Sequence, residues 1–137
     1  MRAIWAAGPK HLTCHVDGRA PDVSGPIRNY ARLAETTGAH VVLEIVLPGK
    51  AAPAGELARI ADAARSARLT PSAVSITVAQ HLIGVLPGSK GPDAPSFADI
   101  YKAARQAFPG AKLGGGTFTF FTELNRNRPP AELLDYI

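Results

Sequence analysis

Two carboxylates stand inside or just behind runs of apolar residues. Glu44 lies within "HVVLEIVLP" (His40 to Pro48), and Glu123 within "FTFFTELNRNRPP" (Phe118 to Pro130). Paired acids can divide general-acid and general-base work when their surroundings hold different pKa values. Asn125, Arg126 and Arg128 follow Glu123 at once, and amide and guanidinium donors can hold an anionic or polyhydroxy substrate or stabilise a developing oxyanion. The plainer reading of Glu44 is an interior carboxylate tied by hydrogen bonds or by an arginine, since buried carboxylates persist only when paired. One arginine could equally brace Glu123, and Arg128 reads best as a solvated side chain.

His15 and Asp17 share one side of a short alternating segment, as a hydrogen-bonded pair or as two metal ligands. No third ligand stands at a diagnostic spacing, so neither a metal nor another cofactor is expected. His15, Asp17, His81 and Thr119 join Asn125 and Arg126 as candidate substrate contacts, with Glu123 and Glu44 as the candidate catalytic pair. The alternative for His81, just past a strand, is an ordinary polar surface group. Cys14 has the apolar parity of its segment and reads as core. The run Gly114 to Gly116 lacks the spacing of a phosphate loop and sits within a predicted strand, where glycines leave room for bulky neighbours.

These residues must be positioned by the elements around them. "HLTCHVDG" (His11 to Gly18) alternates as a strand, and "PIRNYARLAETTGA" follows with helical spacing, proline in its first turn and Gly38 as its stop. The pattern repeats with a strand at His40 to Pro48 and a helix at Gly55 to Leu69. A third strand spans Ser72 to His81, and a third helix spans Ser96 to Phe108, with Ser96 as N-cap and Asp99 completing a capping box. The fourth strand is predicted over Ala111 to Leu124, ending near Glu123, and "RPPAELLDYI" begins a fourth helix that the sequence leaves unfinished. Strand–helix alternation with connections too long for hairpins predicts right-handed βαβ units and a parallel sheet.

The polar parities choose between architectures. Thr13, His15 and Asp17 share one side, as do Ser75, Thr77 and His81, and Thr117, Thr119 and Glu123. The opposite sides are apolar, with Leu12, Cys14 and Val16, then Val74, Ile76 and Val78, then Phe118 and Phe120. A doubly wound sheet is apolar on both faces, whereas a (β/α)8 barrel turns one side of each strand toward a shared axis and does its chemistry at the strands' C-terminal ends. Such a barrel takes about 250 residues. The expectation is therefore an α/β fold amounting to about half of a TIM barrel: one partial domain over residues 1–137. Its units would span about 11–38, 40–69, 72–108 and 111–137, truncated at the C-terminus.

Composition excludes other classes. The 15 basic and 11 acidic residues give a net charge of +4, but the basic ones are scattered and no aromatic-interleaved basic stripe marks a nucleic-acid surface. No segment approaches the roughly 20 apolar residues of a membrane span, and the first residues are too short an apolar run for a signal peptide. A lone cysteine fits a reducing compartment. The expected location is the cytoplasm, with neither nucleic acid nor membrane as partner.

The segments "GGGTFTFFTELNRNRPP" (Gly114 to Pro130) and "VVLEIVLPG" resemble the barrel domain of D-apionate lactonases, and the element order is similar from about Leu12 to Ile137. The resemblance implies hydrolysis of a branched-chain sugar lactone, D-apionolactone, to D-apionate. It also implies a larger protein, so the missing remainder of the barrel would be a partner of this piece, and the piece alone would be inactive. Glu44, Glu123, Asn125 and Arg126 match positions in these segments. Two other readings stand beside it: a glycoside hydrolase-like barrel using the paired carboxylates, and a noncatalytic carbohydrate-binding or scaffold domain.

Overall fold

A computed structural model describes residues 7–119 and 121–137, the side chains of Phe121 and Arg126 apart. The elements run β1 (His11–Asp17), α1 (Ser24–Thr37), β2 (His40–Leu47), α2 (Pro53–Ser66), β3 (Ala73–Val78), a 3-10 turn (Ala79–Leu82), α3 (Phe97–Ala107), β4 (Lys112–Gly114), α4 (Phe121–Arg126) and a second 3-10 turn (Ala131–Leu133). The sheet order is β1-β2-β3-β4 and every pairing is parallel. Consecutive parallel strands with helical crossovers form part of a (β/α) barrel, as the alternation predicts.

Local chemistry sets the boundaries. Gly38 stops α1 in the left-handed region at φ 68°, and its N–H donates to Ala34 O at 2.8 Å. Pro53 occupies the first turn of α2, where its missing N–H costs nothing. Ser96 caps α3 by accepting a hydrogen bond from Asp99 N at 3.1 Å, and its hydroxyl donates to the Asp99 carboxylate at 2.7 Å.

The core lies between the sheet and its helices. Leu43, Ile45 and Leu47 of β2 and Val74, Ile76 and Val78 of β3 face Ile27, Leu57, Ile60 and Ile100, and all are fully buried. Each such aliphatic side chain contributes about 1.5–3 kcal/mol of transfer free energy, so this face holds the helices on. The other face carries Thr13, His15 and Asp17, then Val42, Glu44 and Val46, then Ser75 and Thr77, and is left to polar chemistry. Among the described residues no helix is long and apolar enough to cross a membrane.

The fourth unit departs from the sequence expectation. β4 ends at Gly114, and the segment predicted to continue it to Leu124 turns away and forms α4. Gly116, at φ 130°, has a backbone conformation that residues with side chains rarely adopt, which helps break the ladder there. Glu123 thus sits on a short helix rather than at a strand end, and Thr119 is exposed instead of facing an axis. Phe118 is half-buried in the turn, and Phe120 lies outside the described residues.

The predicted fourth helix is likewise absent beyond one 3-10 turn. Asp135 N donates to Leu113 O at 2.7 Å, and Tyr136 forms a parallel bridge with Gly114. The Asp135 carboxylate accepts from Leu113 N and from Arg105, each at 2.7 Å, which pins this last stretch beside β4.

Candidate functional site

A cavity of about 670 Å³ opens beyond the C-terminal ends of β3 and β4, where barrel enzymes place their chemistry. Polar lining comes from Gln80 and His81 after β3, Thr117 after β4, and Glu123 and Asn127 on and just after α4, with Ser89, Lys90 and Asp93 on the loop between them. The long segment from Ile83 to Ala94 forms the remaining wall.

Glu123 is 6% exposed, an unusual degree of burial for a carboxylate. One of its oxygens points toward Gly84, where an added Cβ would stand 3.9 Å away. Asn127 N donates to Glu123 O at 2.8 Å, which continues the helical turn and sets both residues on one side of it.

His81 stands on the 3-10 turn that ends β3. Its ring lies 5.1 Å from that of Phe97, tilted by 47°, and Phe97 stacks on Tyr101 at 5.7 Å. Burial against this aromatic ladder lowers the His81 pKa, so the imidazole is neutral at pH 7 with a lone pair free to accept a proton. The same burial pushes the Tyr101 hydroxyl up to about 12, which keeps it protonated.

The rim is held by loop contacts. Gln80 Nε2 donates to Gly49 O at 3.0 Å and Pro48 O at 3.4 Å, tying β3's exit to that of β2. Glu56 accepts from the N–H groups of Gly49, Lys50 and Ala51 at 2.9, 2.9 and 3.0 Å, in front of the α2 N-terminus. Gln80 Oε1 is buried and has no hydrogen-bond partner among the described residues. Gly114 and Gly115 make room for the rings of Tyr136 and Tyr101, so the glycine run leaves space for bulky neighbours, as the sequence suggests.

Of the residues singled out from the sequence, the cavity brings together Glu123 and His81. Glu44 does project from the inner face of β2, half-buried, with His15 and Ser75 as register neighbours, but it does not line this cavity. His15 is exposed on the same row. Asp17 is held by Arg19 through two side-chain hydrogen bonds of 2.8 Å, which with a backbone contact keep its carboxyl down at about 2. Asn125 and Thr119 are exposed, and Thr119 N donates to Thr117 Oγ1 at 3.3 Å. The Arg126 side chain lies outside the described residues. Cys14 is buried, and burial raises its thiol pKa. Among the described residues no group of three or more His, Cys, Asp or Glu is placed to hold a metal ion.

The sequence reading missed Gln80, Thr117 and Asn127. Asn127 stands four residues after Glu123, a spacing that only a helix turns into a shared face. Gln80 carried a signal, since it directly precedes His81 where the third apolar run gives out.

Comparison with known proteins matches residues 1–137 to the family model described as D-apionate lactonase, TIM barrel domain. The chain is also similar to a curated protein named D-apionate lactonase from Brucella anthropi, at 39% identity over 129 residues. That alignment covers 94% of this chain and 21% of the relative, so the chain spans about a fifth of the length of the protein it matches. No solved structure matches.

Proposed function

The chain belongs to the D-apionate lactonase TIM barrel family, and from that premise we propose that the whole protein opens a sugar lactone, D-apionolactone in the first instance, to its aldonate. The observation that carries the reading is a buried carboxylate, Glu123, in a large cavity beyond the strand ends, shared with a neutral His81.

Lactone hydrolysis needs a group to take a proton from water, donors for the carbonyl oxygen as it becomes an oxyanion, and an acid for the departing ring oxygen. Glu123 takes the water proton as the oxygen attacks the carbonyl carbon. The Asn127 amide and Thr117 hydroxyl supply donors toward the oxyanion, the part expected from the sequence of Arg126 or Asn125. When the ring C–O bond breaks, the proton passes to the alkoxide, directly from Glu123 or through His81, and leaves a hydroxyl and a carboxylic acid, which releases its proton to solvent to become the carboxylate.

Residues 1–137 contribute one part of a single barrel domain, and the remainder of the protein closes it. Glu44 and His15 then face the enclosed interior. Cytoplasmic location belongs to the same proposal, supported by the one unpaired and buried cysteine. Glycoside hydrolysis by paired carboxylates gains no support from the geometry, because Glu44 and Glu123 do not line one cavity.

The test is Glu123→Gln in the whole protein, assayed on D-apionolactone and a panel of other aldonolactones. Lactone opening should fall by roughly 10²-fold or more, the scale of a lost general base, with the folded state intact by circular dichroism. Undiminished turnover would remove Glu123 from the mechanism, and binding without turnover by the wild type would favour a carbohydrate-binding module.

A further inference from the structure

Phe97 and Tyr101 stand four residues apart on α3, the spacing that sets two side chains one above the other on a helix face. Their rings stack at 5.7 Å with the planes 15° apart, and the His81 ring meets Phe97 at 5.1 Å. The far end of this row is fixed as well. A Cβ added at Gly115 would collide with the Tyr101 hydroxyl and stand 2.9 Å from its Cζ, so the phenol ends against the backbone that leaves β4. We propose that Tyr101 is a positioning residue for the site: with Phe97 it forms a strut that holds His81 at a set distance from the chain leaving β4.

Both ends of the strut belong to the cavity wall. Gly116 and Thr117, directly after Gly115, line the cavity from the β4 side and lead toward α4 with Glu123, whereas His81 lines it from β3. Aromatic side chains turn about few bonds, and close-packed interiors transmit a displacement instead of absorbing it. Tyr101 is 3% exposed, and Phe97 packs against the same core. The two rings therefore lie on the helix side of the sheet, away from the inner row that the rest of the barrel faces.

This role rests on the reading of the cavity as a lactone-opening site, in which a proton leaves Glu123 directly or through His81. Proton transfer needs heavy atoms within about 2.6–3.2 Å, or one bridging water, so the separation between the two sides of the cavity decides whether His81 takes part. A misplacement of about 1 Å costs up to roughly 10²-fold in rate. The ordinary alternative is that Phe97 and Tyr101 only fill the space between α3 and the sheet.

The experiment compares Gly115→Ala, Tyr101→Phe and the double variant in the whole protein. It reads kcat and KM on D-apionolactone, and the NMR signals of the His81 ring in protein carrying isotopically labelled histidine. Gly115→Ala displaces the phenol and should lower kcat by roughly tenfold or more, with KM changing less. Tyr101→Phe removes the colliding oxygen, so the two effects should not add, and the double variant should turn over faster than Gly115→Ala alone. The His81 signals, which feel the ring current of Phe97, should shift in Gly115→Ala and return toward the wild-type position in the double variant. Plain core filling would leave them in place. These signals need no substrate, so they decide the strut even where Glu123→Gln removes the lactone reading. Unmoved His81 signals in Gly115→Ala, or a double variant no nearer the wild type than Gly115→Ala, would overturn the proposal. Should Gly115→Ala not fold, Tyr101→Leu keeps an apolar core and removes both stack and hydroxyl; it should shift the same signals, and unmoved ones count equally against the strut.

Discussion

The Tyr136 hydroxyl lies 2.9 Å from Ser75 Oγ, reaching across Gly114 to a strand two places away in the sheet. Its ring occupies the space that a side chain at position 114 would need. Tyr136 therefore belongs to the inner row formed by His15, Glu44 and Ser75, although it stands outside the four named strands.

A methyl group at position 114 tests this packing. Gly114→Ala should cost about 1–3 kcal/mol in urea denaturation of the whole protein, the usual penalty for overfilling a packed site. Tyr136→Phe keeps the ring and removes the hydrogen bond, and should cost about 1 kcal/mol or less. If Gly114→Ala is neutral, the ring does not rest on the glycine.

Asp17 gives a prediction at low pH. Its carboxyl is lowered from 3.8 to about 2, chiefly by the Arg19 hydrogen bonds, so folding favours the ionised form. The stabilisation is complete above 3.8 and is lost as pH falls toward 2. Both side chains are substantially exposed, which limits the effect to about 0.5–1 kcal/mol. Asp17→Asn should show that difference at pH 6 and lose most of it by pH 2, measured by denaturant midpoint.

His81 titrates in the opposite sense from a surface histidine gaining an anionic partner. Burial holds its pKa below 6.5, so its neutral form is favoured by folding, and the stabilisation is present above that value and lost as pH falls through the folded pKa. NMR titration of the ring should give a midpoint below 6.5. Phe97→Ala, which uncovers the imidazole, should raise it, and a midpoint that does not move would separate the shift from the aromatic ladder.

Gly49 combines a left-handed backbone at φ 66° with close contact to Gln80. Gly49→Ala should destabilise by about 1–3 kcal/mol through strain and collision. Because the displaced Gln80 neighbours His81, lactone turnover should fall as well. Gly55→Ala, in open space on α2, should by contrast stabilise slightly.

Most of the frame was legible because local and tertiary preferences coincide. Cys14 and Val16 are buried while Thr13 and His15 are exposed, Gly38 stops α1, and Ser96 caps α3, each from chemistry within a few residues. The stretch after β4 was misread because Thr117 to Phe121 has strand composition, yet β4 ends at Gly114 and the chain turns at Gly116. The last residues were misread for the converse reason. "AELLDYI" carries helical propensity, but Asp135 finds Arg105 and the Leu113 backbone, contacts that no local window contains. The cavity inherited both errors, so Glu123 was found for its chemistry and Asn127 was overlooked.

The strictly sequential strand order has a consequence for biosynthesis. Each of β2, β3 and β4 pairs with the strand made just before it, so a nascent segment leaving the ribosome meets a partner already present. Growth in the direction of translation spares these strands a wait for distant sequence, and shortens the time for which their backbone edges invite another chain.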